Sequence, residues 1–244
     1  MSHSMSPLVR SLWAGGLLAA IALQLPSAAA TRSNSHAPRG LPLVEVGVRD
    51  TSATMAVILT GDGGWAAGDR AMAAALADSG ISVVGLDVPS YLRTPRNPDV
   101  ASADLKRILE YYLARWHAER VILIGYSHGA DLAPFMVSRL PMELRRRIAL
   151  LVMLGLEADA NFEFHLADII ADFSHHGALP VLPEVEELRG LPMLCVRGLD
   201  EGSSLCSSLP SGLARVETRP GGHRIPGSQG PEVVNLILRA ANAH

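Results

Sequence analysis

Along the chain, short apolar runs alternate with segments whose apolar positions recur every three or four residues. Leu43–Val48, Met55–Thr60, Ile81–Val88, Val121–Gly125, Ile148–Leu156, Pro192–Arg197 and Leu213–Thr218 read as strands. Between them, Asp69–Ser79, Asp104–His117, Gly129–Leu140 and Pro231–Ala241 read as helices, the first stopped by Gly80. The helical period is clearest in Leu105, Ile108, Leu109, Tyr112, Leu113 and Trp116. Strands that are apolar throughout and separated by helices predict an α/β fold. Its mostly parallel central sheet would carry helices on both faces. Residues 157–191 fit this alternation least, and Asn161–Phe173 within them predicts a helix lying over a site as a lid would.

The first thirty residues follow another pattern. Arg10 precedes Leu12–Leu25, an apolar run broken only by Gly15, Gly16 and Gln24, and Ala28–Ala30 then offers the small residues a signal peptidase accepts. The run is shorter than the roughly 20 apolar residues a spanning helix needs. Residues 1–30 therefore read as a cleaved export signal to the periplasm, 31–42 as a flexible leader and 43–244 as one domain. With 48% hydrophobic and 18% charged residues the chain can bury a sizeable core. A net charge of -3 gives no footprint for nucleic acid, which is not expected as a partner. Cys195 and Cys206 are close enough in sequence for a short-loop disulfide, but a buried cysteine plus a separate loop cysteine fits equally well.

The strongest chemical signal is Gly125-Tyr126-Ser127-His128-Gly129, a G-x-S-x-G directly after an apolar strand and before a helix. A serine on such a tight turn needs small flanking residues, and the helix that follows favours developing negative charge. This context predicts the α/β-hydrolase fold, with Ser127 as nucleophile. An alcohol needs a base, and in this fold the order is serine, acid, histidine. His223, in Pro220-Gly221-Gly222-His223 after the last strand, meets that order; His165, His175 and His176 fall in the irregular segment. Asp200 and Glu201 both follow the strand Pro192–Arg197, and Asp200 is preferred as the acid that would fix the histidine tautomer. The N–H of His128 and the Gly63-Gly64 loop are the expected oxyanion donors, while Asp131 is expected to order the elbow. Arg93, Arg96 and Arg224 are candidate contacts for an anionic head group. No metal or organic cofactor is required by this chemistry.

Gly61-Asp62-Gly63-Gly64-Trp65, Gly125–Asp131 with Pro134-Phe135, Leu154-Gly155-Leu156, Phe162–His165, Ser204-Leu205-Cys206 and Gly221-Gly222-His223 together resemble the VirJ/AcvB family of bacterial virulence-associated proteins, in its short single-domain form. His128 stands where that family usually carries a bulky apolar residue, and Arg224 where a second histidine is common. The resemblance implies an exported α/β hydrolase acting on lysyl-phosphatidylglycerol, an aminoacylated membrane phospholipid. It also implies an association with type IV secretion, so that secretion-system proteins are expected partners. The alternative it leaves open is a periplasmic binding or assembly factor that uses the hydrolase fold as a scaffold.

Overall fold

The computed structural model describes residues 38–47, 52–163 and 178–243. The expected export signal, the leader up to residue 37, and residues 164–177 of the expected lid, with His165, His175 and His176, lie outside the described residues.

Seven strands build the main sheet: β1 (Leu43–Val46), β2 (Thr54–Leu59), β3 (Ser82–Leu86), β4 (Arg120–Tyr126), β5 (Ile148–Leu154), β8 (Met193–Gly198) and β9 (Arg215–Arg219), in spatial order β1-β3-β2-β4-β5-β8-β9. All neighbours pair in parallel except β1, which runs antiparallel along β3 at the edge. A strand buried on both faces has no polar side to show, which is why these runs carry no alternation. In β2, Met55, Val57 and Leu59 enter one core and Ala56 and Ile58 the other. The first core is covered by α3 (Pro98–Arg115), α4 (His128–Ser138) and α6 (Val181–Glu187), the second by α1 (Ala67–Asp78) and α7 (Gly230–Ala241).

The order of connection decides where a site can open. From β2 the chain crosses to β3 on one side and then returns past β2 to β4 on the other. The loops leaving β2 and β4 therefore diverge, and ligands bind in such a gap at the carboxyl ends of the strands.

Local chemistry moves several boundaries from their sequence expectation. The helix expected from Asp104 starts six residues earlier, because the Asn97 side chain accepts from Val100 N at 2.9 Å and Pro98 occupies the first turn, where its missing N–H costs nothing. Its face of Ala101, Leu105, Ile108, Leu109 and Tyr112 is buried, each large side chain contributing about 1.5–3 kcal/mol over exposure. The strand expected to reach Val88 ends at Leu86, since Asp87 caps a one-turn helix, α2 (Val88–Tyr91), through Ser90 N at 3.0 Å.

A second short helix, α5 (Met142–Arg145), joins α4 to β5. Residues 161–163 are not helical, which corrects the start of the expected Asn161–Phe173 helix. The described ends of that segment instead pair as a small antiparallel ribbon, β6 (Asp159–Ala160) with β7 (Leu179–Pro180). Cys195 and Cys206 form a disulfide that joins β8 to a helical turn at Leu205–Ser207, resolving the two sequence alternatives in favour of the bond. Among the described residues no helix is long and apolar enough to cross a membrane.

Candidate active site

Ser127 sits between β4 and α4 with φ 52°, one of two non-glycine residues in the left-handed region among the described residues. Its N–H donates to Leu154 O at 2.8 Å, which extends the β4–β5 ladder by one residue before the chain turns. The flanking glycines are steric necessities. A Cβ on Gly125 would lie 2.6 Å from Ala130 Cα, and one on Gly129 would lie 2.6 Å from Leu59 C. The elbow is thus forced by backbone packing, and it presents the serine at the N-terminus of α4.

His223 reaches the serine from the loop between β9 and α7. The Ser127 hydroxyl donates to His223 Nε2 at 2.7 Å, and His223 Nδ1–H donates to Glu201 Oε1 at 2.5 Å. The two partners fix the tautomer: the nitrogen facing the serine is the acceptor. Ser127 and His223 are therefore brought together as the sequence order required. The acid is not the preferred one. Asp200 is exposed and its N–H is tied to Gly221 O, so its side chain leaves the site. Glu201 is 7% exposed and turns back under the loop, its own N–H donating to Gly198 O and its Oε2 accepting from Gly198 N at 2.9 Å. Only the longer side chain can close that turn and still reach the imidazole.

Two further residues hold this arrangement, and no motif chemistry singles them out. Arg219, buried at the end of β9, donates to the carbonyls of Pro220, Gly222, His223 and Arg224 and to Gln229 Oε1. Its guanidinium gathers the carbonyls of the whole histidine loop. Gly155, at φ 68°, leaves the space the imidazole occupies: a Cβ there would lie 2.8 Å from His223 Cε1 and 3.4 Å from Glu201 Oε1. The carboxyl of Asp131 is pushed well above its ordinary range by burial, and its Oδ1 accepts from Glu157 N at 2.8 Å. It ties the first turn of α4 to the segment beyond β5.

The glycine-rich loop after β2 lies across the serine, but not as expected. Gly64 turns at φ 63° and its N–H donates to Gly61 O at 3.0 Å, so it is spent within the loop and is not an oxyanion donor. Gly63 lines the cleft. Gly61 lies closest to the nucleophile, a Cβ there falling 3.0 Å from Ser127 Cβ. The side chain of His128 faces away from any oxyanion: Nδ1 meets Asp62 Oδ1 at 2.8 Å and Nε2 meets Asn161 O at 2.6 Å. Burial works against its charge, but the Asp62 hydrogen bond and charge, with the Asn161 carbonyl, outweigh burial and raise its pKa. The hydrogen bond from His128 in turn holds Asp62 below the usual carboxylate value. His128 is a clamp between the glycine loop and Asn161, while its backbone N–H remains in the first turn of α4 beside Ser127.

These groups open into a cleft of about 510 Å³, lined among others by Asp62, Gly63, Asp69, Ser127, His223 and Arg224. Of the three candidate arginines only Arg224 lines it. Arg96 stacks on the Tyr91 ring at 4.8 Å, and Arg93 is exposed elsewhere.

A parallel sheet that delivers a serine on a strained strand-to-helix turn, with a histidine from the loop after its last strand, defines the α/β-hydrolase fold. Solved structures agree. MenH from S. aureus shares the fold with a TM-score of 0.62 at 14% identity, over 82% of this chain and 98% of that one. The thioesterase domain from the curacin biosynthetic pathway is similar at TM-score 0.55 and 15% identity, over 80% and 94%. Est1E from Butyrivibrio proteoclasticus gives TM-score 0.55 and 13% identity, over 84% and 97%. No curated protein matches the chain. The chain belongs to the family described as bacterial virulence protein (VirJ), whose model matches residues 53–242.

Proposed function

We propose that the protein is an exported serine hydrolase that cleaves a carboxylic ester, with the aminoacyl ester of lysyl-phosphatidylglycerol as its substrate. The observation that carries the reading is the unbroken relay from Ser127 through His223 to Glu201, opening into a cleft of ligand size. In this reading Ser127 Oγ attacks the ester carbonyl and His223 Nε2 takes its proton, while Glu201 stabilises the imidazolium. In this reading the oxyanion is held by the N–H of His128, with the glycine loop that Gly61 brings against Ser127 as the opposite wall. Collapse breaks the ester C–O bond, His223 returns the proton to the leaving alcohol, and aminoacyl-Ser127 remains. Water, deprotonated by His223, then releases the amino acid and restores the serine.

The lipid is argued from membership of the VirJ family and from Arg224 at the cleft, a cation suited to a lipid phosphate. Export is supported by the Cys195–Cys206 bond, since disulfides persist in oxidising compartments. A binding or assembly role toward secretion proteins needs no relay, and no feature of the site favours it.

The test is release of lysine from lysyl-phosphatidylglycerol vesicles by the purified protein and by Ser127→Ala. Release by the wild type alone is expected. If no ester is turned over and an active-serine fluorophosphonate fails to label Ser127, the hydrolase reading is wrong and the scaffold alternative takes its place.

A further inference from the structure

Asp69 is a buried ionisable group of the cleft that the relay does not use. It lies in the first turn of α1, 1% exposed, and lines the same cleft as Ser127 and His223. Its Oδ2 accepts from Ala66 N at 3.2 Å, while its Oδ1 is buried with no hydrogen-bond partner. Arg70 beside it is exposed and donates to Trp65 O, and among the described residues neither Arg70 nor Arg224 of the same cleft forms an ion pair with Asp69. Asp87, the nearest acid behind the glycine loop, is occupied by Trp65 N and Ser90 N. The carboxylate of Asp62, also on the cleft wall, is engaged by His128.

A buried carboxylate with no counter-ion and one unpartnered oxygen is costly, and an asparagine would keep the Ala66 bond while burying a neutral amide in place of the charge. Burial pushes Asp69 up to about 6, so it is largely an anion at neutral pH. A charge on a side chain buried to this degree attracts a cation more strongly than one at the surface.

We propose that Asp69 is the counter-charge for an ammonium group carried by the ester substrate, so that the cleft selects amine-bearing acyl esters over neutral ones. The proposal rests on the hydrolase reading. It adds a specificity-determining residue to it and does not depend on which lipid or alcohol forms the other half of the ester.

The experiment compares kcat/KM for L-lysine methyl ester with that for methyl hexanoate, which has the same carbon chain without the amines. Wild type and Asp69→Asn are assayed at pH 7. Asp69→Asn is expected to lower the lysine-to-hexanoate ratio at least tenfold, through KM more than kcat, and Asp69→Glu to retain most of it. In the wild type the ratio should fall as the pH drops below about 6.

A second readout separates this role from a structural one. Because folding raises the pKa of Asp69, its ionisation costs stability as the pH rises toward neutrality, so Asp69→Asn should melt higher than wild type at pH 7.5. Ser127-dependent turnover with a ratio unchanged by Asp69→Asn overturns the proposal and leaves the hydrolase reading standing. If Asp69→Asn does not fold, a wild-type ratio that stays constant from pH 5 to 7.5 overturns it equally. Absence of any Ser127-dependent turnover would instead count against the hydrolase reading itself.

Discussion

At the end of β4 the position of Ser127 is set by backbone alone: two glycines that exclude side chains, one ladder hydrogen bond to Leu154 and the start of α4. At the ends of β8 and β9 the opposite holds. Glu201 hangs on a carboxylate that grips its own loop, beside a disulfide, and His223 on carbonyls gathered by one arginine. The nucleophile arm is therefore rigid by geometry, and the acid–base arm is rigid only while particular side chains stay in place. Substitutions should expose that asymmetry.

The largest expected effect separates the two adjacent acids. Glu201→Gln should lower kcat by about 10³–10⁴, as loss of the orienting carboxylate does in serine hydrolases, while Asp200→Asn stays within roughly threefold of wild type. Ester-hydrolysis kinetics of both variants check this, and equal losses would reverse the choice of acid. Next comes Gly155→Ala. Its methyl carries no chemistry but displaces the imidazole, and misplacement on the order of 1 Å costs about 10²-fold in kcat. Retention of kcat within a factor of two would show that the histidine arm yields to the added methyl.

Cys206→Ser should lower kcat/KM by about tenfold and remove about 2–3 kcal/mol of stability, as closing a loop of this size contributes. Thermal melts with and without reductant check the second part. A variant as active and as stable as wild type would detach the disulfide from the acid.

The smallest effect belongs to the His128 clamp. Its raised pKa makes its stabilisation complete below the ordinary imidazole value and lost as the pH rises through the folded value. The depressed Asp62 contributes above the ordinary carboxylate value and loses its contribution on acidification. Between pH 6 and 9 the wild type should therefore lose about 2–4 °C of Tm more than His128→Leu. Parallel curves for the two proteins would remove the clamp.

The same asymmetry explains what could be read from the chain. The sheet strands and the elbow were legible because their causes are local: apolar runs of strand length, and glycines at fixed offsets from a serine. The histidine was legible from its order in the chain. The acid was not, since the choice between adjacent Asp200 and Glu201 rests on side-chain length and on where the turn points each, and that turn is set by bonds to Gly198 and Gly221. Gly64 was misjudged for a related reason. A glycine suits an oxyanion loop whether its own N–H is free or already bound, and its bond to Gly61 is a property of the folded turn. Gly155 and Asp69 stayed hidden because their neighbours come from distant parts of the chain, and Arg219 because its bonds exist only once the histidine loop has folded back on it.

Glu201 lies within the covalent ring closed by Cys195 and Cys206, whereas Ser127 and His223 lie outside it. The acid is thus carried on a segment whose two ends are fastened covalently, from β8 to the turn at Leu205–Ser207, while the nucleophile rests on the main-chain ladder alone.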